Sequence, residues 1–208
     1  MNLPNKLTVS RFFMTALFLW AVMSRSPLND TLALVIFALA SLTDLLDGQI
    51  ARKRGLITTF GILMDPLADK ILTCSAFIAL VERNMLTLPP ALFQIGNYIA
   101  RPKVEAWMVT IIVARELAIT GLRLVAASKN VVLAAERYGK HKTISQIVAI
   151  LALLVLDAYR EWWSWLQVPF NPWLPWFAWA ALWVTVFLTA LSGVIYLWRN
   201  RAIYLEDV

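Results

Sequence analysis

Four aspartates stand out in the sequence because they are spaced in pairs within a largely apolar chain. Asp44 and Asp47 are three residues apart, and Asp65 and Asp69 are four residues apart. Both spacings place two residues on one face of an α-helix. If two such helices meet along these faces, four carboxylates come together, and their mutual repulsion requires bound cations. The sequence therefore predicts a metal site held by these four aspartates.

The donor atoms of this site would all be oxygen, because residues 44–69 contain neither His nor Cys. Such a donor set favours Mg²⁺, Mn²⁺ or Ca²⁺ over zinc, and four carboxylates are enough for two ions. Gly48 and Gly61 leave the helix surface bare, so that a bulky ligand can approach the backbone. Arg52 offers a planar fork that suits a phosphate. Together these features predict a site for phosphate transfer.

The same stretch resembles the signature of the CDP-alcohol phosphotransferase family, D-x2-D-G-x2-A-R-x8-G-x3-D-x3-D. All eight fixed positions are present at the family spacing: Asp44, Asp47, Gly48, Ala51, Arg52, Gly61, Asp65 and Asp69. The resemblance implies an all-α integral membrane enzyme that transfers a phosphatidyl group from a CDP-activated lipid to an alcohol and releases CMP. Scattered aspartates at solvated helix ends would be the structural alternative, but a charge near the bilayer core is costly.

The resemblance also implies a role for each signature residue. Asp44, Asp47, Asp65 and Asp69 would bind two Mg²⁺ or Mn²⁺ ions, and Asp69 would also act as the catalytic base that deprotonates the acceptor. Gly48, Arg52 and Gly61 would bind CDP-diacylglycerol. Asn5 and Thr8 belong to an N-terminal opening that is similar to that of bacterial family members, which places them at the nucleotide end. A solvated approach to the membrane would explain these two residues equally well.

A second set of basic residues lies further along the chain, in the segments 114–123 and 139–146. These segments resemble the family members that use sn-glycerol 3-phosphate as acceptor and form phosphatidylglycerophosphate, and the similarity extends over about residues 3–150. The expected acceptor-binding residues are Arg115, Arg123, Lys140, Lys142 and Thr143. Arginine and lysine suit an acceptor that carries its own phosphate. Arg115 and Arg123 are eight residues apart, about 80° on a helical wheel, and can face one cavity.

Structural explanations exist for the same basic residues. Lys140 and Lys142 would also be expected in a cytoplasmic loop of any membrane protein. Arg115 could be neutralised by the adjacent Glu116 in a structural ion pair.

The composition predicts a single membrane domain over residues 1–208. The chain is 60% hydrophobic and has a mean hydropathy of +0.67. Six transmembrane helices are expected at 12–23, 31–50, 60–81, 104–127, 143–156 and 177–198, after a short interfacial helix at 3–11. Pro66 should kink or loosen the third span. Residues 83–104 are expected to form an extracytoplasmic loop with a short interfacial helix.

The net charge of +6 suits anionic lipid surfaces and phosphorylated substrates, and no aromatic-interleaved groove for nucleic acid is present. Lys and Arg are concentrated at the N-terminus, residues 51–54, residues 129–142 and the C-terminal tail. The positive-inside rule therefore places both termini and the active site on the cytoplasmic side. A bacterial inner membrane is expected, and the resemblance implies a homodimer.

Other functions compete with this interpretation. A cation transporter could use intramembrane aspartates, but it would place charges near the bilayer midplane in repeated halves. A purely structural scaffold does not explain four aligned aspartates. Within the family, cardiolipin, phosphatidylserine and phosphatidylinositol-phosphate synthases remain alternatives. The sequence departs from the usual family pattern in its longer 83–104 loop and its Trp-rich region at 159–183.

Overall fold

The computed structural model describes residues 3–24, 26, 28–54, 59–86, 93–95, 98–100, 103–129, 138–170 and 173–205. The backbone alone is described at residues 3–8, 44–54, 59–66, 69, 84–86, 93–95, 98–100, 138–141, 160, 202 and 205.

Helices dominate the fold, which confirms the all-α prediction. The elements in chain order are α1 Leu3–Met23, α2 Asn29–Arg54, α3 Thr59–Leu86, β1 Phe93–Ile95, β2 Tyr98–Ala100, α4 Ala106–Ser128, α5 Tyr138–Ala158, a 3-10 turn Tyr159–Glu161, α6 Ser164–Gln167, α7 Leu174–Arg199 and α8 Ala202–Leu205. Within these ranges the six longest helices coincide with the six apolar segments expected from the sequence. Runs of Leu, Val, Ile and Ala favour helix over this length because few residues in them break it.

Several helix boundaries differ from the sequence prediction. The expected interfacial helix at 3–11 and the first span form one continuous helix, α1. Pro4 lies in its first turn, where a missing N–H removes no intrahelical hydrogen bond. Helix α5 begins at Tyr138, five residues before the expected start, so Lys142 is helical and does not lie in a loop. Helix α3 is continuous through Pro66, so the proline does not end the helix.

The predicted short helix in the 83–104 segment is wrong, because the structure has a hairpin there. Strands β1 and β2 pair antiparallel, with Phe93 opposite Ala100 and Ile95 opposite Tyr98. This register leaves two residues, Gly-Asn in the sequence, between the strands. A two-residue Gly-Asn connection flanked by aromatic and β-branched residues is a hairpin signal.

The core lies between tightly packed helices. Helix α1 packs against α2 and α3, α5 packs between α2 and α7, and α4 packs against α7 and α3. Phe18 of α1 and Phe37 of α2 are fully buried, with ring centroids 5.6 Å apart. A smaller cluster joins Ile119 and Leu122 of α4 to Tyr196 of α7. These contacts bring α4, α5 and α7 together along the part of the fold that carries the basic residues.

The outward faces of the helices are also apolar. Phe13 is 73% exposed on α1, Leu117 is 66% exposed on α4, and Phe187 is 65% exposed on α7. Among the described residues, one helix, Leu174–Arg199, is long and apolar enough to cross a membrane, and shorter apolar stretches cover Val9–Met23 and Asn29–Thr43. A surface of this composition is stable in a lipid environment and is rare on a water-soluble monomer.

A polar network ties together the start of α2, the end of α3 and the turn after α5. The carboxylate of Glu161 accepts hydrogen bonds from the backbone N–H of Asp30 at 3.1 Å, from that of Thr31 at 2.8 Å and from the Thr31 hydroxyl at 2.7 Å. Arg83 Nη1 donates to Asp30 Oδ1 at 2.5 Å. Glu161 therefore satisfies the first N–H groups of α2 and places a negative charge at the positive end of the helix.

Arg83 lies beyond the predicted third span and stays charged in this network. Burial lowers the pKa of Arg83, but its hydrogen bond to Asp30 and the nearby carboxylates of Asp157 and Glu161 outweigh this, so that the pKa is raised. The charged guanidinium therefore links α3 to the start of α2.

We expect Glu161→Ala to lower the free energy of unfolding by about 2 kcal/mol, because it leaves two N–H groups of α2 and the Thr31 hydroxyl without their charged acceptor. Thermal melting in detergent, followed by helical circular dichroism, measures the effect. Glu105→Ala is the matched control, since Glu105 forms a half-exposed pair with Lys103 at 3.2 Å, and its loss should cost less than about 1 kcal/mol. Equal melting temperatures for the two variants would contradict the assignment.

Candidate active site

The four signature aspartates lie on two helices, as the spacing predicts. Asp44 and Asp47 are within α2, and Asp65 and Asp69 are within α3. The helical backbone therefore separates the members of each pair by about one turn. Their side chains are outside the described part of the structure, so the metal site stays a prediction. An all-carboxylate donor set in which each pair spans one helical turn fits Mg²⁺ or Mn²⁺.

Several other predicted residues share this status. The structure describes their helical backbones but not their side chains. They are Asn5 and Thr8 on α1, Gly48 and Arg52 on α2, Gly61 on α3, and Lys140 on α5. Their assignment to CDP-diacylglycerol or to the acceptor phosphate is a prediction that the structure leaves untested.

The described part of the candidate site is organised around a buried carboxylate, Glu116 of α4. Its side chain is 9% exposed, and its Oε1 accepts a hydrogen bond from Lys142 Nζ of α5. Arg115 Nη1 lies 3.3 Å from the same oxygen. Lys142 is 7% exposed, so its charge would be costly to bury without this partner. Glu116 therefore links α4 to α5 and neutralises part of the positive charge between them.

A lysine that the sequence analysis did not select connects α3 to this region. Lys70 follows Asp69 directly, and its ammonium donates to Thr120 Oγ1 of α4. The Thr120 hydroxyl in turn donates to the backbone carbonyl of Glu116 at 2.8 Å. The turn of α3 that carries Asp69 is thus held next to the basic face of α4. A charged residue within an apolar helix, directly after the last signature aspartate, was the signal that could have identified Lys70.

The arginines of α4 both reach α7. Arg123 Nε donates to the hydroxyl of Tyr196 at 3.3 Å, and its guanidinium lies 5.9 Å from the centre of the Tyr196 ring. The stem of Arg115 crosses α7 at Gly193. The two guanidiniums are near enough to repel each other. Both arginines therefore contact α7, and the expectation that they face one cavity stays a prediction.

The surroundings of Arg115 and Lys142 differ from the sequence expectation. Lys142 lies inside helix α5 and pairs with Glu116, whereas a solvated loop position was expected. Arg115 also pairs with Glu116, as the structural alternative proposed. Thr143 follows Lys142 on α5 and is half-buried. The ion pairs do not exclude binding of a ligand, because a guanidinium and an ammonium each have further N–H donors.

Two buried donors in this region have no hydrogen-bond partner among the residues that the structure describes. They are Arg115 Nε and Gln146 Nε2. Gln146 is 3% exposed and lies one helical turn after Lys142 on α5. Because a buried donor without an acceptor is destabilising, the oxygen atoms of an anion would be favourable partners here. The arrangement is chemically suited to a phosphate group.

The comparison with known proteins identifies the class. Residues 1–191 match the CDP-alcohol phosphatidyltransferase family, and the chain belongs to this family. It is 36% identical over 211 residues to the CDP-diacylglycerol–glycerol-3-phosphate 3-phosphatidyltransferase of Bacillus subtilis (strain 168), an alignment that covers 96% of this chain and 95% of the relative. The Rickettsia felis protein of the same name is 32% identical over 195 residues, covering 94% and 93%.

The family resemblance also includes a second activity. The cardiolipin synthase (CMP-forming) of Oryza sativa subsp. japonica is 31% identical over 210 residues, which cover 96% of this chain and 58% of that protein. The choice of acceptor alcohol therefore has to be decided from the site and by experiment.

We expect Glu116→Leu to lower the free energy of unfolding by about 3–5 kcal/mol, because it leaves the buried charges of Lys142 and Arg115 without their shared partner. Adding Lys142→Met should recover part of this loss, since it removes one of the two stranded charges. Thermal melting in detergent compares the variants with Glu82→Leu, a control that removes an exposed carboxylate of α3 and should change stability by about 0.5 kcal/mol or less. A double variant that melts no higher than Glu116→Leu would contradict the pairing.

Proposed function

We propose that this protein transfers the phosphatidyl group of CDP-diacylglycerol to sn-glycerol 3-phosphate, giving phosphatidylglycerophosphate and CMP in phospholipid biosynthesis. The observation that carries the proposal is the gathering of Lys70, Arg115, Arg123 and Lys142 beside the turn of α3 that bears Asp69. Full-length similarity to relatives named for this reaction supports it.

The reaction breaks the pyrophosphate bond of CDP-diacylglycerol and forms a phosphate ester with the acceptor. The acceptor hydroxyl oxygen attacks the phosphorus of the phosphatidyl group, the bond from that phosphorus to the CMP oxygen breaks, and CMP leaves. The carboxylate of Asp69 takes the hydroxyl proton. A carboxylate is a weak base for an alcohol, so the positions of acceptor and donor relative to Asp69 must contribute much of the rate.

The basic residues would select an acceptor that carries a phosphate. Three cations, Lys70, Arg115 and Lys142, lie around one described carboxylate, Glu116, so the cluster keeps an excess of positive charge. Glycerol 3-phosphate supplies a dianion that can accept from Arg115, Arg123 and Lys142, together with the Nε2 donor of Gln146. Lys140 and Thr143 lie in the same part of α5. Plain glycerol lacks the charge that such a cluster requires.

The donor end would be formed by α1, α2 and α3. Asn5, Thr8, Gly48, Arg52 and Gly61 would contact the nucleotide and its phosphates. Asp44, Asp47, Asp65 and Asp69 would hold two Mg²⁺ or Mn²⁺ ions, which neutralise charge on the pyrophosphate of CDP-diacylglycerol when bound.

The lipid substrate places the protein in a membrane, and the exposed apolar faces of the helices support six spans. The concentration of Lys and Arg near the signature favours a cytoplasmic active site in a bacterial inner membrane. The homodimer implied by the family resemblance remains a prediction.

The acceptor assignment is tested with Arg123→Ala. We expect its KM for glycerol 3-phosphate to rise about tenfold or more, because one charge-assisted contact is lost, while the KM for CDP-diacylglycerol stays near the wild-type value. Arg201→Ala, which removes an exposed charge stacked on Trp198, is the control. The assay measures CMP release and identifies the lipid product by mass spectrometry.

The same assay separates the alternatives. Glycerol 3-phosphate, phosphatidylglycerol, serine and inositol phosphate are offered in turn to the wild-type protein. Cardiolipin formation from phosphatidylglycerol, without turnover of glycerol 3-phosphate, would replace the proposed function by cardiolipin synthesis. Cation uptake into vesicles without CMP release would favour a transporter.

The metal and base assignments predict different defects. Chelation with EDTA should abolish CMP release, and Mg²⁺ or Mn²⁺ should restore it.

Asp69→Asn should keep near-normal affinity for CDP-diacylglycerol while turnover falls by on the order of 10²–10⁴, the range for a lost acid–base group. Asp47→Ala should lose donor binding and turnover together, since a metal ligand is removed. Calorimetry gives donor affinity. Near wild-type turnover of Asp69→Asn would eliminate Asp69 as the base, and full turnover in EDTA would exclude the metals.

A further inference from the structure

Gly193 lies on the buried face of α7 at the point where Arg115 crosses it. A Cβ atom added at Gly193 would lie 2.8 Å from Arg115 Cγ and 3.6 Å from Arg115 Cβ. Carbon atoms in non-bonded contact are separated by about 3.5–4.0 Å. Glycine is therefore the one residue type that leaves the stem of Arg115 in its present position.

The clash would involve Cγ of Arg115, which is close to the backbone, and not the mobile guanidinium end. Cγ is fixed by rotation about the first side-chain bond, so moving it away requires a different rotamer or a shift of α4 against α7. Either change displaces the stem from which the guanidinium reaches Glu116, whose Oε1 lies 3.3 Å from Arg115 Nη1. The position of the charged group is thus set at two points, by Glu116 and by Gly193.

Tyr196, three residues after Gly193, makes the equivalent contact with the second arginine. Its hydroxyl accepts from Arg123 Nε at 3.3 Å, and its side chain is buried between α4 and α7. The spacing of three residues places both contacts on one face of α7. One face of α7 therefore touches both arginines.

We propose that α7 positions the acceptor-binding arginines, with Gly193 setting the location of Arg115 and Tyr196 that of Arg123. The inference rests on the proposed function, because it concerns recognition of the phosphate of glycerol 3-phosphate. Gly193 and Tyr196 are positioning residues, since they act through the arginines and touch no reacting atom. The specificity for a phosphorylated acceptor then depends on a helix outside the signature.

The competing explanation is that Gly193 only allows α4 and α7 to pack closely. A packing glycine would affect stability and every substrate alike. A positioning glycine would affect the acceptor alone, and its effect would depend on the presence of Arg115.

The test measures KM for both substrates in Gly193→Ala, with Gly121→Ala as the matched control. Gly121 lies on α4, and a Cβ added there meets nothing within 4 Å. Both substitutions raise helix propensity, so propensity cannot produce a difference between them. We expect Gly193→Ala to raise the KM for glycerol 3-phosphate about tenfold, as for a displaced charge-assisted contact. The KM for CDP-diacylglycerol should stay unchanged, and Gly121→Ala should resemble the wild type.

A double-mutant cycle with Arg115→Ala tests whether the effect passes through the arginine. In the Arg115→Ala background, Gly193→Ala should cause no further rise in the glycerol 3-phosphate KM. An additional tenfold rise there, or an equal rise for both substrates, would overturn the proposal. An unchanged glycerol 3-phosphate KM in Gly193→Ala would overturn it as well.

Tyr196→Phe keeps the proposal testable if Gly193→Ala does not fold, because it removes one hydroxyl and leaves the buried ring. Its KM for glycerol 3-phosphate should rise several-fold, as expected when one hydrogen bond to a charged group is lost. An unchanged value would overturn the proposal.

The wild-type protein in the same assay tests the proposed function itself. No product from glycerol 3-phosphate would mean that the proposed function is wrong. Normal wild-type turnover with unaffected variants would mean that only the positioning role is wrong.

Discussion

The buried carboxylate of Glu116 is the interaction on which the described part of the site depends. Transferring a lysine and an arginine into the space between packed helices is unfavourable unless an opposite charge accompanies them. Glu116 supplies that charge from within α4 and reaches Lys142 on α5. Because one carboxylate faces more than one cation, the region remains electropositive. A site of this kind is stable when empty and still attracts an anion.

Polar groups form two clusters in the helical bundle. In one cluster, Glu161 and Arg83 connect the start of α2 with the end of α3. In the other cluster, Lys142 of α5 pairs with Glu116 of α4, and Lys70 of α3 donates to Thr120 of α4. Elsewhere the described helices have mostly apolar buried faces and apolar outward faces. Such faces suit a lipid environment.

Helix α7 contributes to the apolar core and also contacts the basic residues of the candidate site. Among the described residues, it is the one helix that is long and apolar enough to span a membrane. It also contacts both arginines of α4. An exposed side rich in Trp, Phe and Val and a buried side with Gly193 and Tyr196 occur on the same element. The family match, which extends over residues 1–191, includes most of this helix.

The sequence alone determined the helical class, the approximate extent of the six long helices and the family, because apolar runs and a spaced signature are local patterns. It also separated Arg115 and Arg123 by only about 80° on a helical wheel. Tertiary structure decided which groups meet. The pairs Lys142–Glu116, Lys70–Thr120 and Arg123–Tyr196 are separated by 26, 50 and 73 residues in the chain. The hairpin at Phe93–Ala100 and the early start of α5 were missed, since turn chemistry and packing outweighed apolar length there. Helix packing, which no local pattern encodes, converted scattered basic residues into one electropositive cluster.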